Sequence, residues 1–278
     1  FPRDGRSDNE LQQEALDIAI QADIVIAVMG EAAEMSGEST SRTDLNIPDA
    51  QKDLLKKLVK TGKPVVLVLF AGRPLTLVWE EENVPAILDV WFPGTEAGYA
   101  VADVLFGDVN PSGKITATFP RSVGQVPISY NYKHTGRAPL KEKPSEKYRT
   151  GYIDETYEPL YPFGYGLSYT QFEYSDLTLD KEVINSNEYL TASITITNKG
   201  TVDGKEIVQL YLRDVVGSVT RPLKELKGYE KLFLKAGESK NVRFKITPEM
   251  LRLYEPGEFD VMIGSNSRDV LTKRFILR

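Results

Sequence analysis

Cysteine is absent from the 278 residues of this chain, and histidine occurs only once, at His134. The lack of cysteine excludes disulfides and thiolate metal sites, but it does not fix the compartment, since many secreted proteins also lack cysteine. A single histidine excludes a metal site built from several histidines, and it excludes a serine–histidine triad that uses any other base. We therefore expect no metal centre in this chain.

Long apolar runs, clustered basic residues and nucleotide-binding motifs are missing as well. No run approaches the roughly 20 apolar residues that a membrane-spanning helix needs. The net charge is −6, and the lysines and arginines are scattered instead of forming the basic face that nucleic-acid binding requires. Neither a three-glycine dinucleotide motif nor a phosphate-loop Gly-Lys-Ser occurs. The sequence thus predicts no membrane span, no nucleic-acid partner and no cofactor.

The first 120 residues alternate between helix and strand patterns. The apolar runs Ile24–Met29 and Val65–Phe70 predict buried strands, and Ala86–Trp91 predicts a third strand. Helical spacing predicts helices before and between them. Such alternation is typical of a parallel sheet, so we expect an α/β domain over residues 1–120. Its first predicted element is a helix, at 9–22, with no strand before it. We therefore expect the N-terminal part of this domain to lie upstream.

The pattern changes near residue 120. Residues 110–120 predict a turn and one further strand, whereas 121–165 are rich in proline, glycine and tyrosine without a sustained period. We interpret 121–165 as an irregular linker or active-site-rim segment. From 166 to 278, apolar and polar residues alternate in runs such as LTASITITN and EIVQLYLRD. About seven such strands predict an all-β sandwich of the fibronectin type III or immunoglobulin kind.

The loop after the first predicted strand is where the chain concentrates acidic side chains. It reads GEAAEMSGESTSR and contains Glu31, Glu34 and Glu38. The carboxyl ends of parallel strands are where such sheets bind ligands. A carboxyl group half-buried beside apolar groups has a raised pKa and can donate a proton near neutral pH. From these residues alone, a solvated acidic loop is the commoner interpretation, and the three glutamates cannot be ranked.

Two aromatic side chains outside this loop are candidates for substrate contact. Trp91 ends a predicted strand, where its indole could stack on a sugar, although a core position is slightly favoured. His134 lies in the irregular segment NYKHTGR, where a surface position at the rim of a substrate site and a plain structural role are equally consistent with the sequence. We do not expect His134 to be catalytic.

A set of longer motifs resembles one known family over nearly the whole chain. The motifs are GEAAEMSGESTSRTDLNIPDAQKDLL, TGKPVVLVLFAGRPL, ILDVWFPGTEAGYAVADVLFGDVNPSGKITATFPRSVGQVPISYN, YPFGYGLSYTQF and RPLKELKGYEKLFLKAGES. In this order they resemble the C-terminal part of glycoside hydrolase family 3, in particular its periplasmic bacterial β-glucosidase branch. The resemblance implies a barrel, an α/β sandwich and a fibronectin type III-like domain in series. The chain would hold most of the second domain and all of the third.

The resemblance also implies roles for the glutamate loop. Glu38, in SGESTSR, matches the family's general acid/base, with Glu31 and Glu34 as alternatives because the loop varies in length. Arg42 would orient that glutamate or lower its pKa, although a salt bridge from Arg42 to Asp44 or another loop carboxylate fits at least as well. The residues expected to contact the substrate are Arg42, Trp91 and His134.

The implied reaction is retaining hydrolysis of terminal β-D-glucosyl residues by two carboxylates about 5 to 5.5 Å apart. The family's nucleophile is an aspartate of the barrel, which is missing from this chain, so the chain alone is expected to be inactive. The implied partners are a β-glucoside or oligosaccharide and the missing barrel, and the implied location is periplasmic or secreted. Two alternatives stay open: a non-catalytic carbohydrate-binding or scaffold fragment, and β-xylosidase specificity.

Overall fold

A computed structural model describes residues 5–138 and 146–278 of the chain. These residues form two units. The first comprises residues 5–102 and Pro120–Val126, and the second comprises Asp103–Phe119 and the described residues after 126. Residues 1–4 of the predicted α/β domain and 139–145 of the predicted linker lie outside the described residues. The domain boundaries expected at 120 and 165 stay predictions.

Helices and parallel strands alternate in the first part of the chain. Its elements are α1 (Asp8–Gln21), β1 (Val25–Gly30), α2 (Asp49–Lys60), β2 (Val65–Phe70), α3 (Val78–Asn83), β3 (Ala86–Asp89) and α4 (Ala97–Leu105). The strands form one parallel sheet in the order β1-β2-β3. Apolar side chains of the central β2 are buried on both of its faces, as its nearly continuous apolar run predicts. The α/β prediction is confirmed.

Strand β1 is buried on one face only, although the sequence predicts a buried strand. Ala27 and Met29 point into the core, whereas Ile26 and Val28 are 45% and 64% exposed. Successive side chains of a strand point to opposite faces, so a run of six apolar residues is buried throughout only where both faces are covered. In the described residues β1 is an edge strand with one covered face.

The end of β1 is fixed by a close approach of two backbones. A Cβ atom at Gly30 would lie 1.8 Å from the carbonyl oxygen of Phe70, and Gly30 has a φ of +134°. The Gln51 side chain of α2 bonds both backbone groups of Gly30, accepting from its N–H at 2.7 Å and donating to its carbonyl at 3.0 Å. These contacts set the point at which the glutamate loop leaves the sheet.

The second unit carries the predicted β-sandwich. Its named elements after residue 170 are β4 (Phe172–Leu179), β5 (Val183–Ile184), β6 (Leu190–Asn198), β7 (Gly204–Asp214), β8 (Glu225–Leu234), β9 (Ser239–Ile246), α5 (Pro248–Leu251), β10 (Gly257–Gly264) and β11 (Val270–Leu277). They form a five-stranded sheet, β5-β11-β10-β7-β8, and a three-stranded sheet, β4-β6-β9. All pairings are antiparallel except that of β5 with β11. Alternating residues, such as Leu190, Ile194 and Ile196 of β6, fill the core between the sheets.

The further strand predicted within 110–120 is not formed, since the described structure has only an isolated antiparallel bridge there, between Phe119 and Tyr161. Residues 115–119 instead lie antiparallel to 160–165, where the Ile115 N–H donates to the Tyr165 carbonyl at 2.9 Å and the Phe119 N–H donates to the Tyr161 carbonyl at 2.9 Å. The rings of Tyr161 and Tyr165 stack 5.2 Å apart. Backbone groups of an apolar segment must find partners when they are buried, and here a distant segment of the chain supplies them.

Replacing Gly30 by alanine should destabilise the protein by at least about 3 kcal/mol or prevent folding, because the new Cβ collides with backbone and the φ of +134° is strained for any other residue. The measurement is urea unfolding followed by circular dichroism. The matched control is Gly98→Ala in α4, where no atom lies within 4 Å of the new Cβ. Helix propensity alone should keep that control within about 1 kcal/mol of wild type. A Gly30→Ala protein as stable as the control would contradict the close approach.

Candidate active site

The candidate site lies where the three parallel strands end. Strand β1 ends at Gly30 and leads into the glutamate loop, β2 leads to Gly72 and Arg73, and β3 leads to Trp91. Because parallel strands point the same way, their carboxyl ends meet at one edge of the sheet, and ligands of such sheets bind there. The fold therefore gathers segments that are some 60 positions apart in the sequence, from residue 31 to residue 91.

Glu31 lies at the centre of this edge. Its carboxylate is fully buried and forms ion pairs with two arginines. Arg42 Nη1 donates to Oε1 at 2.8 Å, and Arg73 Nε donates to Oε2 at 3.3 Å and lies 3.0 Å from Oε1. The backbone N–H of Gly72 donates to Oε2 at 3.0 Å. A buried charge must be neutralised and hydrogen-bonded, and this arrangement does both.

The same contacts keep Glu31 ionised. Burial by itself would raise the pKa of this carboxyl, but hydrogen bonds from Arg42 and from the Gly72 backbone, together with the charge of Arg73, hold the pKa below its usual value. A carboxylate in this state is a poor proton donor near neutral pH. Glu31 therefore has the properties of a structural anion.

Arg73 reaches beyond Glu31 into the loop itself. Its Nη2 donates to the backbone carbonyl of Met35, and to that of Thr40 at 3.0 Å. A Cβ atom at the neighbouring Gly72 would lie 1.9 Å from Ser36 Oγ, so the backbone of Gly72 passes directly against the loop. Arg73 was not among the site residues predicted from the sequence. Its signal was a basic residue just after a buried strand, on the same edge as the glutamates.

Glu38 lies in a tight turn over residues 37–40. The Thr40 hydroxyl donates to the Gly37 carbonyl at 2.6 Å, and Ser39 has a positive φ of 59°, which is unusual for a residue other than glycine. The Glu38 side chain is exposed. Within residues 5–138 and 146–278, it forms no hydrogen bond or ion pair. Glu34 is also exposed, in the 3₁₀ turn Ala33–Met35.

Arg42 is engaged at the end of the loop. Besides its salt bridge to Glu31, its Nη2 donates to the Asn46 carbonyl at 3.1 Å. The loop carboxylate that pairs with Arg42 is thus Glu31, and in the described structure no hydrogen bond or salt bridge joins Arg42 to Glu38.

Trp91 and Asp89 form the third side of this edge. Trp91 is half-buried and has a φ of 52°, a strained conformation for a bulky side chain. Its backbone N–H donates to Asp89 Oδ1 at 3.3 Å. Oδ2 of Asp89 is buried and has no hydrogen-bond partner among the described residues, and burial raises the pKa of this carboxyl to about 6. Asp89 was not anticipated, although an aspartate inside the apolar run AILDVW was a signal.

His134 belongs to the second unit. It is exposed, and its Nδ1 accepts a hydrogen bond from the Gly136 N–H at 2.9 Å, which closes a local turn. Besides Glu31, the first unit places four of the residues predicted for acid/base catalysis or substrate contact at this edge of the sheet. These residues are Glu34, Glu38, Arg42 and Trp91.

Two further features of the described residues bear on function. No group of three histidine, aspartate or glutamate side chains in them is arranged to hold a metal ion. None of their helices combines the length and the apolar character that crossing a membrane would demand.

Comparison with known families finds two matches along the chain. Residues 5–169 match the glycosyl hydrolase family 3 C-terminal domain, and residues 206–267 match the fibronectin type III-like domain. The first match covers more than half of the chain. The chain therefore belongs to glycoside hydrolase family 3, and the predicted resemblance is confirmed.

Individual relatives point the same way. The chain is 50% identical to the periplasmic beta-glucosidase of Salmonella typhimurium over 99% of its own length and 37% of that protein. It is 43% identical to a beta-xylosidase of Formosa agariphila, over 92% of its own length and 35% of that protein. The structure of a beta-glucosidase from Listeria innocua in complex with isofagomine superposes with a TM-score of 0.92 at 41% identity, covering 98% of this chain and 39% of that one. The chain thus spans less than half of the length of these relatives.

Stability should depend on pH through Asp89. Because burial raises its pKa to about 6, the folded protein holds a proton that the unfolded chain releases from about pH 4 upward. The free energy of unfolding therefore falls as pH rises from about 4 to 6 and stays lowered above that range. Asp89→Asn should remove this loss, so its stability relative to wild type should improve by up to about 3 kcal/mol between pH 4 and pH 8.

Urea unfolding of both proteins at the two pH values measures this change. Asp53→Asn, on the exposed side of α2, is the matched control for the loss of one negative charge. A stability difference between Asp89→Asn and wild type that is equal at both pH values would contradict the raised pKa.

Proposed function

We propose that this chain is the acid/base-bearing part of a retaining β-glucosidase and that Glu38 is its general acid/base. The observation that carries the proposal is that the glutamates of the loop lie in different environments. One glutamate is buried and neutralised by two arginines, whereas Glu38 extends from a braced turn into solvent at the ligand-binding edge of the sheet.

Glu31 does not suit the role of proton donor. A general acid needs a pKa near the working pH and must reach the leaving oxygen of the substrate. The pKa of Glu31 is lowered, and its side chain is inaccessible to solvent. Both properties oppose proton transfer to a bound substrate.

Glu34 shares the exposure of Glu38 but not its bracing. Arg73 binds the carbonyls of Met35 and Thr40, which lie on either side of Glu38 in the chain. Glu34 precedes both of these anchor points. A catalytic group must be held in place by its support, and this favours Glu38. The SGESTSR motif supports the same choice.

In the proposed reaction, Glu38 protonates the glycosidic oxygen while a nucleophile outside this chain attacks the anomeric carbon. Glu38, now ionised, then removes a proton from the water that hydrolyses the glycosyl-enzyme. In a retaining enzyme the two carboxyl groups lie about 5 to 5.5 Å apart. Since this chain supplies only one of the two, we expect it to be inactive without the barrel that carries the other.

The substrate proposed is a terminal non-reducing β-D-glucosyl residue. It is supported by the relatives from Salmonella typhimurium and Listeria innocua, which are named beta-glucosidases. The name of the Salmonella protein also supports a periplasmic or secreted location. The strained backbone of Trp91 supports a role in contacting the sugar, because strain of this kind concentrates at functional sites. For His134, substrate contact stays a prediction.

β-Xylosidase activity is the second candidate, because a relative 43% identical over 92% of the chain carries that name. Since the chain alone is expected to be inactive, the ratio of hydrolysis rates for p-nitrophenyl β-glucoside and p-nitrophenyl β-xyloside must be measured on the full-length protein that joins this chain to its own barrel, and that ratio separates the two. A ratio above one supports the β-glucosidase, and a ratio below one supports the β-xylosidase.

The role of Glu38 can be tested in a chimera in which this chain replaces the matching 37% of the Salmonella typhimurium relative. Glu38→Ala should lower hydrolysis of phenyl β-glucoside by about 100- to 10,000-fold, since its leaving group needs a proton. Glycosylation by dinitrophenyl β-glucoside, whose leaving group does not, should be far less affected. Steady-state and burst kinetics measure both.

Glu34→Ala is the matched control, because it removes an exposed carboxylate from the same loop. It should retain the activity of the unmodified chimera. If Glu34→Ala shows the selective loss instead, the acid/base assignment moves to Glu34. Equal losses for both substrates in Glu38→Ala would count against general acid catalysis by this residue.

A further inference from the structure

We infer that Arg73 is a positioning residue for the general acid/base, with Glu31 as the buried anion that orients it. The inference rests on the proposed role of Glu38. It deepens that proposal, since it identifies which part of the fold fixes the place of a side chain that has no hydrogen-bond or ion-pair partner among the described residues.

The contacts of Arg73 are placed on both sides of the turn that carries Glu38. Met35 lies three positions before Glu38 and Thr40 lies two positions after it, and one terminal nitrogen of Arg73 donates to the carbonyl of each. Because these bonds reach backbone atoms, they fix the path of the main chain directly. The main chain is therefore held on both sides of Glu38, at Met35 and at Thr40.

Glu31 sets the orientation of the guanidinium. Nε of Arg73 lies 3.0 Å from Oε1 and 3.3 Å from Oε2 of Glu31. With Nε bound to the carboxylate, the rigid planar group places Nη2 against the loop carbonyls. Arg42 binds the same carboxylate from the far end of the loop. The beginning and the end of the loop are thus tied to one buried anion, and its turn is braced by one arginine.

This support matters because the Glu38 side chain itself forms no hydrogen bond or ion pair in the described residues. A misplacement of about 1 Å in a catalytic group can cost on the order of 100-fold in rate. Lysine would keep the positive charge beside Glu31, but its single ammonium cannot reproduce a fork that reaches a carboxylate and two carbonyls at once. Arg73→Lys therefore separates positioning from charge.

The first arm of the test uses the chain alone and does not depend on activity. Glutamyl endopeptidase cleaves after glutamate, so its rate at the Glu38–Ser39 bond, read by mass spectrometry, reports how often the turn opens. Arg73→Lys should raise this rate at least about tenfold. The matched control is Arg274→Lys on β11, since Arg274 is likewise an arginine that donates to more than one acceptor, the carboxylates of Asp260 and Glu258, each at 2.8 Å. It should leave the rate at Glu38 unchanged.

The second arm measures hydrolysis in the chimera. Arg73→Lys should lower kcat for phenyl β-glucoside by about 10- to 100-fold, while glycosylation by dinitrophenyl β-glucoside changes far less. A merely structural defect would lower both alike. Glu31→Gln, which keeps the shape of the side chain but removes its charge, is the second variant and should shift both arms in the same direction as Arg73→Lys, so it decides the test if Arg73→Lys fails to fold.

The outcomes separate this inference from the function on which it rests. If Glu38→Ala shows the selective loss but Arg73→Lys matches wild type in both arms, the positioning role is overturned and the proposed function stands. Equal losses on both substrates with unchanged cleavage at Glu38 would also overturn it. If Glu38→Ala shows no selective loss, the proposed function fails, and the role of Arg73 toward a general acid at Glu38 fails with it, whatever the proteolysis arm reports about the loop.

Discussion

The ion pairs of a single buried carboxylate organise the candidate site. Removing the charge of Glu31 from water would cost several kcal/mol without partners, so the fold must supply them. It supplies Arg42 from the far end of the loop and Arg73 from the next strand. Any arrangement of this edge that separates the three residues leaves a buried charge unpaired. The glutamate loop is therefore tied to the sheet by electrostatics, although most of its own residues are exposed.

Close packing of backbone makes this ion cluster possible. Gly30 and Gly72 lie where a Cβ atom would collide with Phe70 and Ser36, so small residues let the ends of β1 and β2 and the loop approach each other. The parallel sheet does the rest, because strands that point the same way deliver their ends to one edge. The result is that buried contacts fix the backbone beside Glu38 while its side chain stays exposed. A proton donor needs both a fixed position and access to the substrate.

Much of this could be read from the sequence, for identifiable reasons. Apolar periodicity located the strands of both units, because it reflects which faces are buried, and the family motifs located the glutamate loop. The extra strand within 110–120 was wrong, since a short apolar run does not say which segment it will pair with. The burial of β1 was overestimated, because Ile26 and Val28 are as apolar as their buried neighbours. Asp89 at the end of β3 and Arg73 just after β2 were overlooked, because each is a single charged residue outside the glutamate loop.

The sequence by itself determined the class of each unit, the family and the short list of carboxylates, because these depend on local composition, periodicity and motif order. Only the tertiary structure divided the roles within that list. Glu31 and Glu38 are alike in type and seven positions apart, and nothing local distinguishes them. What distinguishes them is whether arginines from elsewhere in the chain reach the carboxylate and exclude water. Burial and long-range charge pairing arise only when the strands have come together, and they decide which glutamate is buried and paired and which is exposed.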